Sequence, residues 1–391
     1  MTLILFLALL IWLYLLFLRG GYWRAEPIFR QDHHEPETWP TVVAVVPARD
    51  EADVVDRAVR SLLAQDYPGE FTVILVDDGS SDGTGDVVRR LSGITRKRLT
   101  VINGTPPPEG WSGKLWALEQ GLRHCRTNIP ATELYWFTDA DIYHPMDNLR
   151  RLVAHGSTEG YDLVSLMVRL ESRGSWSWLL IPAFVYFFQQ LYPFRWVADA
   201  ARRTAAAAGG CILVRESALR NSGGLERIRG APIDDCALAR NLKVGHGYRL
   251  WLGLSTKTHS LRPYQGLRGV WKMVSRNAFT QLGYSPVNLS LAIIGMLVTY
   301  GAGPICVIVA LITLEPATFA LGGAIWLLTS VSFMPTLRLY GESRSAAFLM
   351  PIVAMFYMTM TLDSACRYWW GGGNKWKGRV TATRPRHPSK V

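Results

Sequence analysis

Four short runs set carboxylates at spacings that can do chemistry: PARDE (47–51), VDDGS (76–80), TDAD (138–141) and IDDC (233–236). Asp139 and Asp141 stand two residues apart, close enough to reach one hard cation. Mg²⁺ and Mn²⁺ are commonly held by one or two carboxylates and keep positions open for substrate phosphates. Asp234 and Asp235 open a helical stretch, where a carboxylate either caps free backbone N–H groups or accepts a proton from a substrate. Asp77 and Asp78 either shape a capping turn or contact a ligand. The same choice holds for Asp50 and Glu51. Asp78, Ser80, Asp82 and Gly83 match the start of a calcium loop. Its twelfth position, however, is Arg89, where a bidentate Glu is required, so that reading is excluded. Lys114 follows a glycine, but Pro108 and Leu115 occupy the other defining places of a phosphate-binding Walker loop. Lys114 is therefore either a solvated helix residue or a cation that supports charge on a departing phosphate. His144, His246 and His259 are further candidate bases or ligands. The five cysteines show no metal-type spacing.

The elements that must position these groups are legible as an alternation. Short apolar runs at 41–47, 71–76, 98–102, 134–138 and 162–168 read as strands. Between them, 52–65 places Val55, Val59, Leu62 and Leu63 on one helical face, Asp82 precedes a helix through Leu91, and 114–124 reads as another helix. Strands alternating with helices predict an α/β domain with a mostly parallel sheet covered on both faces. In such sheets ligands bind beyond the carboxyl ends of the strands. Most of the acidic runs follow strand ends, so they are expected to meet at one polyphosphate-binding edge organised by a divalent metal.

The 391-residue chain is 49% hydrophobic yet 19% charged, with a formal charge of +11. That mixture predicts a water-facing domain joined to membrane segments. No basic recognition motif for nucleic acid is present, so the positive balance is read as contact with the lipid bilayer. Residues 1–20 are expected to form an uncleaved transmembrane anchor, with Arg19, Arg24 and Arg30 on the cytoplasmic side. Three apolar stretches within 287–370 approach the roughly 20 residues a bilayer requires. Arg338 and Arg344 assign the link between the last two to the cytoplasm. Counting spans places the tail 371–391 outside, whereas its basic residues favour the inside. A further apolar run, 176–194, is long enough to cross. A single crossing there would separate Asp139 from Asp235, so it is expected to lie in the interface instead, with 266–286 as an amphipathic linker.

The order PARDE, VDDGS, DAD and IDD resembles glycosyltransferase family 2, with its Rossmann-like GT-A nucleotide-sugar fold. WSGKLWAL (111–118) resembles the ceramide-glucosyltransferase-like membrane branch. The layout with GGCILVR (209–215) and WLGLSTKTHSLRPY (251–264) is similar to bacterial hopanoid-associated glycosyltransferases. The resemblance implies a GT-A domain over 40–265 and inverting transfer from a UDP-sugar to a membrane-lipid hydroxyl at the cytoplasmic face of a bacterial inner membrane. It implies that Asp77 or Asp78 contacts uracil and ribose, that Asp139 lies near ribose and diphosphate, and that Asp141 ligates Mg²⁺ or Mn²⁺. Asp50, Glu51 and Lys114 fall on the donor side. Asp235, or less readily Asp234, is the implied general base, and Arg276 with Trp271 lies toward acceptor and diphosphate. Many membrane members carry Q/RxxRW near this last place. Here it reads MVSRN (273–277), which makes polymer synthesis less expected. Two alternatives stand beside this reading: a polyprenyl-phosphate sugar transferase and a non-catalytic membrane scaffold.

Overall fold

The computed structural model describes residues 2–29, 34–94, 98–264, 266–370, 375–376 and 379–380. The basic tail lies outside the described residues, apart from a two-residue pairing of 375–376 with 379–380. The chain forms two compact units.

One unit comprises Gln31–Ser165, Ala207–Arg249 and Cys366–Val391. Its strands are β1 (Val42–Ala48), β2 (Phe71–Asp77), β3 (Leu99–Asn103), β4 (Leu134–Phe137), the two-residue β5 (Ile142–Tyr143), the start of β6 (Leu163–Arg169) and β7 (Ile212–Arg215). Within this unit the sheet order is β3-β2-β1-β4-β7-β6. The first four strands are parallel, with Val42 opposite Phe71 and Leu134, and Val73 opposite Leu99. Every residue of β1 is buried, as a strand covered on both faces requires, and its uninterrupted apolar sequence follows from that.

The expectation of a mostly parallel sheet holds for this half and then meets a reversal. β7 runs antiparallel to β4, with Leu134 opposite Arg215 and Phe137 opposite Ile212, and β6 runs antiparallel to β7. The beginning of β7, and the glycines before it, therefore lie beside the carboxyl end of β4. β1 and β4 stay in register only as far as Val45 and Phe137. Beyond that point Pro47, which has no N–H to leave unpaired, lines an opening in the sheet edge.

The Gly113–Asn128 helix packs on β1 and β2. Gly121 sits at the closest approach: a Cβ there would stand 2.4 Å from Val45 Cγ1 and 3.4 Å from Val76 Cγ2. Gly121→Ala is expected to destabilise this unit by about 1–3 kcal/mol through overpacking, more than the ~1 kcal/mol gained in helix propensity. A lower thermal midpoint at unchanged secondary structure is the measurement.

The other unit comprises Met1–Arg30, Leu166–Ala206 and Leu250–Ala365. It contains helical stretches long and apolar enough to cross a membrane: Pro286–Thr313, Pro316–Tyr340 and Arg344–Trp369, with mean hydropathies of 2.1, 1.6 and 1.7. The first two approach through glycines. A Cβ on Gly303 would lie 3.0 Å from the Gly322 carbonyl, and one on Gly322 would lie 3.0 Å from the Gly303 carbonyl. Small residues at such crossings let helix backbones pack without a hydrophobic driving force. Leu291, Ile294, Ile308 and Ile312 remain exposed, as acyl-chain contact would require.

The N-terminal apolar helix, Thr2–Leu18, is shorter than these three spans. Its Trp12 indole donates to the Thr299 carbonyl at 2.8 Å, within a π-turn over Leu297–Gly301. The 176–194 stretch contains the helix Ser177–Leu191, with Pro182 inside it. Leu179, Leu180, Ile181, Ala183, Val185 and Tyr186 are buried. Tyr186 shares hydroxyl hydrogen bonds with Tyr22 and Ser332, and Tyr357 donates to the Leu180 carbonyl. Trp271 and Arg276 lie on the Gly266–Gln281 helix, where the Trp271 indole donates to Asp363 Oδ2 at 2.7 Å.

Candidate active site

The loops after β1 and β2 are laced together. Asp77 Oδ1 accepts the Ser80 N–H at 3.0 Å, and Gly79 takes the left-handed conformation (φ 67°) that this tight turn needs. Asp78 is almost fully buried, with its carboxylate 3.6 Å from Arg49, whose guanidinium also donates to the Asp78 carbonyl. Asp50 adopts φ 50° and accepts from the Ser81 N–H at 2.8 Å, while the Glu51 N–H donates to Thr84 Oγ1. Asp50, Asp77 and Asp78 thus use their carboxylates to hold one pair of loops at the sheet edge, and Glu51 joins the same pair through its backbone N–H.

A second group converges more tightly. Ser112 caps the Gly113–Asn128 helix by accepting the Leu115 N–H, which sets Lys114 in the first turn. Lys114 Nζ lies 2.7 Å from Asp139 Oδ1 and 3.6 Å from Asp234 Oδ2. Asp139 arrives from the carboxyl end of β4. Asp234 and Asp235 arrive from the start of the short helix Asp234–Arg240. The N-cap of that helix is Ile233, with no side-chain capping bond. Neither carboxylate is therefore the N-cap residue, although Asp235 Oδ1 does accept one free N–H of the helix's first turn, that of Cys236, at 2.7 Å. Its Oδ2 reaches across to accept the Gly209 N–H at 2.8 Å. Lys114, Asp139, Gly209, Asp234 and Asp235 line a cleft of about 20 Å³, closed on its apolar side by Leu115, Phe137 and Ile228 among others.

Asp50, Glu51, Asp77, Asp78 and Asp141 do not line this cleft. Asp141 lies two residues beyond Asp139, half-buried in the turn that leads into β5. Among the other candidates, His144 is fully buried and His259 Nδ1 lies 2.9 Å from the Lys257 carbonyl. Gly209 is the site residue that no side-chain chemistry could have revealed. It contributes a backbone N–H, and a Cβ there would press within 3.1 Å of Lys114 Nζ and 3.3 Å of Asp235 Oδ2. Its only trace in the sequence is the Gly pair that opens GGCILVR.

Burial pushes the Asp235 carboxyl up to about 6. The neighbouring Asp234 adds to the rise, while Lys114 and the Cys236 and Gly209 N–H groups oppose it. For Lys114, burial alone would lower the pKa, but Asp139 and Asp234 outweigh it and the ammonium is held well above its ordinary value. Lys114→Met is accordingly expected to leave Asp235 protonated to higher pH. The acid limb of kcat/KM should move above about 6, with kcat lower by about tenfold to a hundredfold. A pH–rate profile checks both.

The cleft sets three carboxylates, Asp139, Asp234 and Asp235, against one ammonium, Lys114. Fully ionised, it carries two negative charges in excess. Among the described residues no group of three or more His, Cys, Asp or Glu side chains forms a ready metal cage. A Mg²⁺ or Mn²⁺ ion that shares one or two carboxylates with substrate phosphates needs no closed protein-only site.

Comparison with known proteins finds a family likeness over part of the chain. Residues 43–223 match the Glycosyl transferase family 2 profile. The undecaprenyl-phosphate 4-deoxy-4-formamido-L-arabinose transferase of Edwardsiella ictaluri is 28% identical over 137 residues, which is 34% of this chain and 39% of that protein. The beta-monoglucosyldiacylglycerol synthase of Synechocystis is 32% identical over 118 residues, or 30% of this chain and 23% of that protein. The matched region is thus well under half of either relative. In fold, the chain is similar to the mannosyltransferase PcManGT of Pyrobaculum calidifontis, solved with GDP-Man and Mn²⁺. The TM-score is 0.57 at 19% identity, covering 94% of this chain and 98% of that one. Residues 43–223 are thus similar to a glycosyltransferase family 2 domain, in a GT-A-like fold.

Proposed function

From a glycosyltransferase domain joined to membrane-length helices, we propose that this protein transfers a sugar, with inversion, from a UDP-sugar to the hydroxyl of a membrane lipid. Hopanoid-like and ceramide-like acceptors fit the motif layout. The observation that carries the proposal is the convergence of Lys114, Asp139 and Asp235 in one cleft at the carboxyl end of β4, where α/β domains bind ligands. The name of the Synechocystis relative, a glucosyldiacylglycerol synthase, supports a lipid acceptor. The apolar helices support a multi-pass protein, whose catalytic domain we assign to the cytoplasmic face of a bacterial inner membrane. On this reading Thr2–Leu18 is its N-terminal anchor and the 176–194 stretch lies at the lipid interface.

The chemistry follows from the residues. An acceptor hydroxyl is a weak nucleophile until a carboxylate takes its proton in the transition state. Each oxygen of an ionised carboxylate has two lone pairs, so the bonds from Gly209 and Cys236 leave Asp235 able to accept that proton. The acceptor oxygen forms a bond to the anomeric carbon as the bond to the β-phosphate oxygen breaks. The nucleoside diphosphate leaves with the electron pair. Lys114 bears on the charge that develops there. Asp139 and Asp141 are the residues that would hold Mg²⁺ or Mn²⁺, and such an ion when bound neutralises charge on the diphosphate. Asp77 or Asp78 contacts the nucleoside, with Asp50 and Glu51 in the adjoining loop. Arg276 and Trp271 are assigned to the acceptor and diphosphate side.

One observation favours a second reading: the Edwardsiella relative is named for transfer to undecaprenyl phosphate. A phosphate acceptor is already ionised and has little need of a base. Mass spectrometry of lipids from cells with and without the protein, fed labelled UDP-glucose or UDP-N-acetylglucosamine, separates the two. Sugar on a neutral lipid supports the hydroxyl acceptor, and sugar on a polyprenyl phosphate overturns it.

A further inference from the structure

His144 lies just past the Asp139–Asp141 turn and is fully buried. Its Nδ1 is 3.1 Å from Asn148 Nδ2 and its Nε2 is 2.8 Å from Thr138 Oγ1. An amide NH₂ only donates, so Nδ1 accepts and the ring proton sits on Nε2, donated to the Thr138 hydroxyl. The threonine hydroxyl passes its own proton on to the Gly210 carbonyl at 2.9 Å. The three bonds run in one direction, from Asn148 through His144 and Thr138 to Gly210. A second tie runs beside them. The Trp136 ring packs against the His144 ring at 4.5 Å, and its indole N–H donates to Cys211 Sγ at 3.4 Å.

The last two members of this relay adjoin groups of the cleft. Thr138 immediately precedes Asp139, and Gly210 immediately follows Gly209, whose N–H holds Asp235 Oδ2. These two segments come from β4 and from the approach to the antiparallel β7, about seventy residues apart in sequence. The sheet ladder between them begins only at Phe137 and Ile212. Beyond that pair, the side chains of Thr138 and His144 carry the connection. With both ring nitrogens engaged and no exposure, the imidazole is not placed to act as a metal ligand or as a proton acceptor for substrate.

We propose that His144 is a positioning residue: acting through Thr138, it fixes the spacing between the Asp139 turn and the Gly209–Gly210 turn that holds Asp235. The inference rests on the reading of Asp235 as the base. A displacement of about 1 Å between reacting groups can cost a hundredfold in rate, and a buried, fully hydrogen-bonded network is the kind of device that prevents it.

The test uses the full chain with Thr138→Val, Thr138→Ser, His144→Phe and the Thr138→Val/His144→Phe double variant. Turnover is measured with UDP-glucose and UDP-N-acetylglucosamine in vesicles of bacterial lipid extract. Hydrogen exchange over residues 206–212 is followed in parallel. Thr138→Val and His144→Phe are expected to lower kcat about tenfold to a hundredfold, with donor KM within about threefold. The double variant should be no worse than the poorer single one, because both cut the same connection. The acid limb of kcat/KM should rise as the Gly209 bond loosens, amide exchange at 206–212 should quicken, and Thr138→Ser should behave as wild type. The proposal is overturned if Thr138→Val and His144→Phe keep wild-type kcat and exchange. It is equally overturned if Thr138→Ser is as damaged as Thr138→Val, which would leave only a packing role. If the wild-type chain turns over neither donor, the proposed function fails while the exchange measurement still judges the relay.

Discussion

Asp235→Asn is expected to lower kcat by about a hundredfold to ten-thousandfold, the range that general-base catalysis contributes, while nucleotide-sugar binding stays within a few-fold of wild type. The amide keeps one carbonyl oxygen to accept the Gly209 N–H, so the turn at 209–210 is preserved. What disappears is the ability to take a proton. The pH dependence of the wild-type enzyme should show the same group. With Asp235 as the proposed base, the ionised carboxylate is the active form, and its pKa is pushed up to about 6, so kcat/KM should rise with pH through about 6 and flatten above it. Desolvation and Asp234 set that limb high, and Lys114 restrains it. Measured as kcat/KM for the donor, this limb reports the enzyme free of nucleotide. A variant with full turnover and an unchanged acid limb would remove Asp235 from the chemistry and favour an acceptor that arrives already ionised.

The second large effect concerns the cation. Chelation, or Asp139→Asn combined with Asp141→Asn, is expected to lower kcat by about a hundredfold to a thousandfold, the scale of losing one preorganised stabiliser of transition-state charge. Added Mn²⁺ or Mg²⁺ should restore the chelated wild type but not the double variant. The reason lies in the charge balance: three carboxylates face one ammonium in the cleft, and a diphosphate brings further negative charge. Lys114, already 2.7 Å from Asp139, is too little to offset it. Full activity in the presence of chelator would show that Lys114 and the protein dipoles suffice by themselves.

The parallel half of the sheet was legible because each strand is an apolar run, buried throughout in β1 and β4, closed by charged or turn residues. The predicted strands at 41–47, 71–76, 98–102 and 134–138 fall within a residue of β1 to β4. β7 was not predicted as a strand. Four residues, Ile212–Arg215, carry too short a pattern to distinguish a strand from a helix turn. Its antiparallel direction is a property of the pairing, not of the residues. That reversal is what delivers Gly209 and Gly210 to the edge where Asp139 ends up.

Lys114 shows the same limit. Its sequence context left a solvated helix residue and an active-site cation equally open, and only the capped first turn of its helix directs the ammonium toward Asp139. The 176–194 stretch was recognisable as apolar from composition. That its helix is buried against Tyr22, Ser332 and Tyr357 depends on partners more than a hundred residues away in sequence, the nearer end of the chain included. His144 was visible as a candidate ligand. Its engagement with Thr138 and Asn148 supports the positioning role proposed above, because both nitrogens of this buried imidazole are already hydrogen-bonded.

The anomeric configuration of the lipid-linked product tests the central claim most directly. Vesicles containing the full chain, supplied with an α-linked ¹³C-labelled UDP-sugar and a divalent cation, should yield a glycolipid whose anomeric NMR signals are those of the β-linkage. This is the outcome of one displacement with Asp235 behind the reacting carbon. An α-linked product, or label that never leaves the aqueous phase while nucleotide is released, would contradict it.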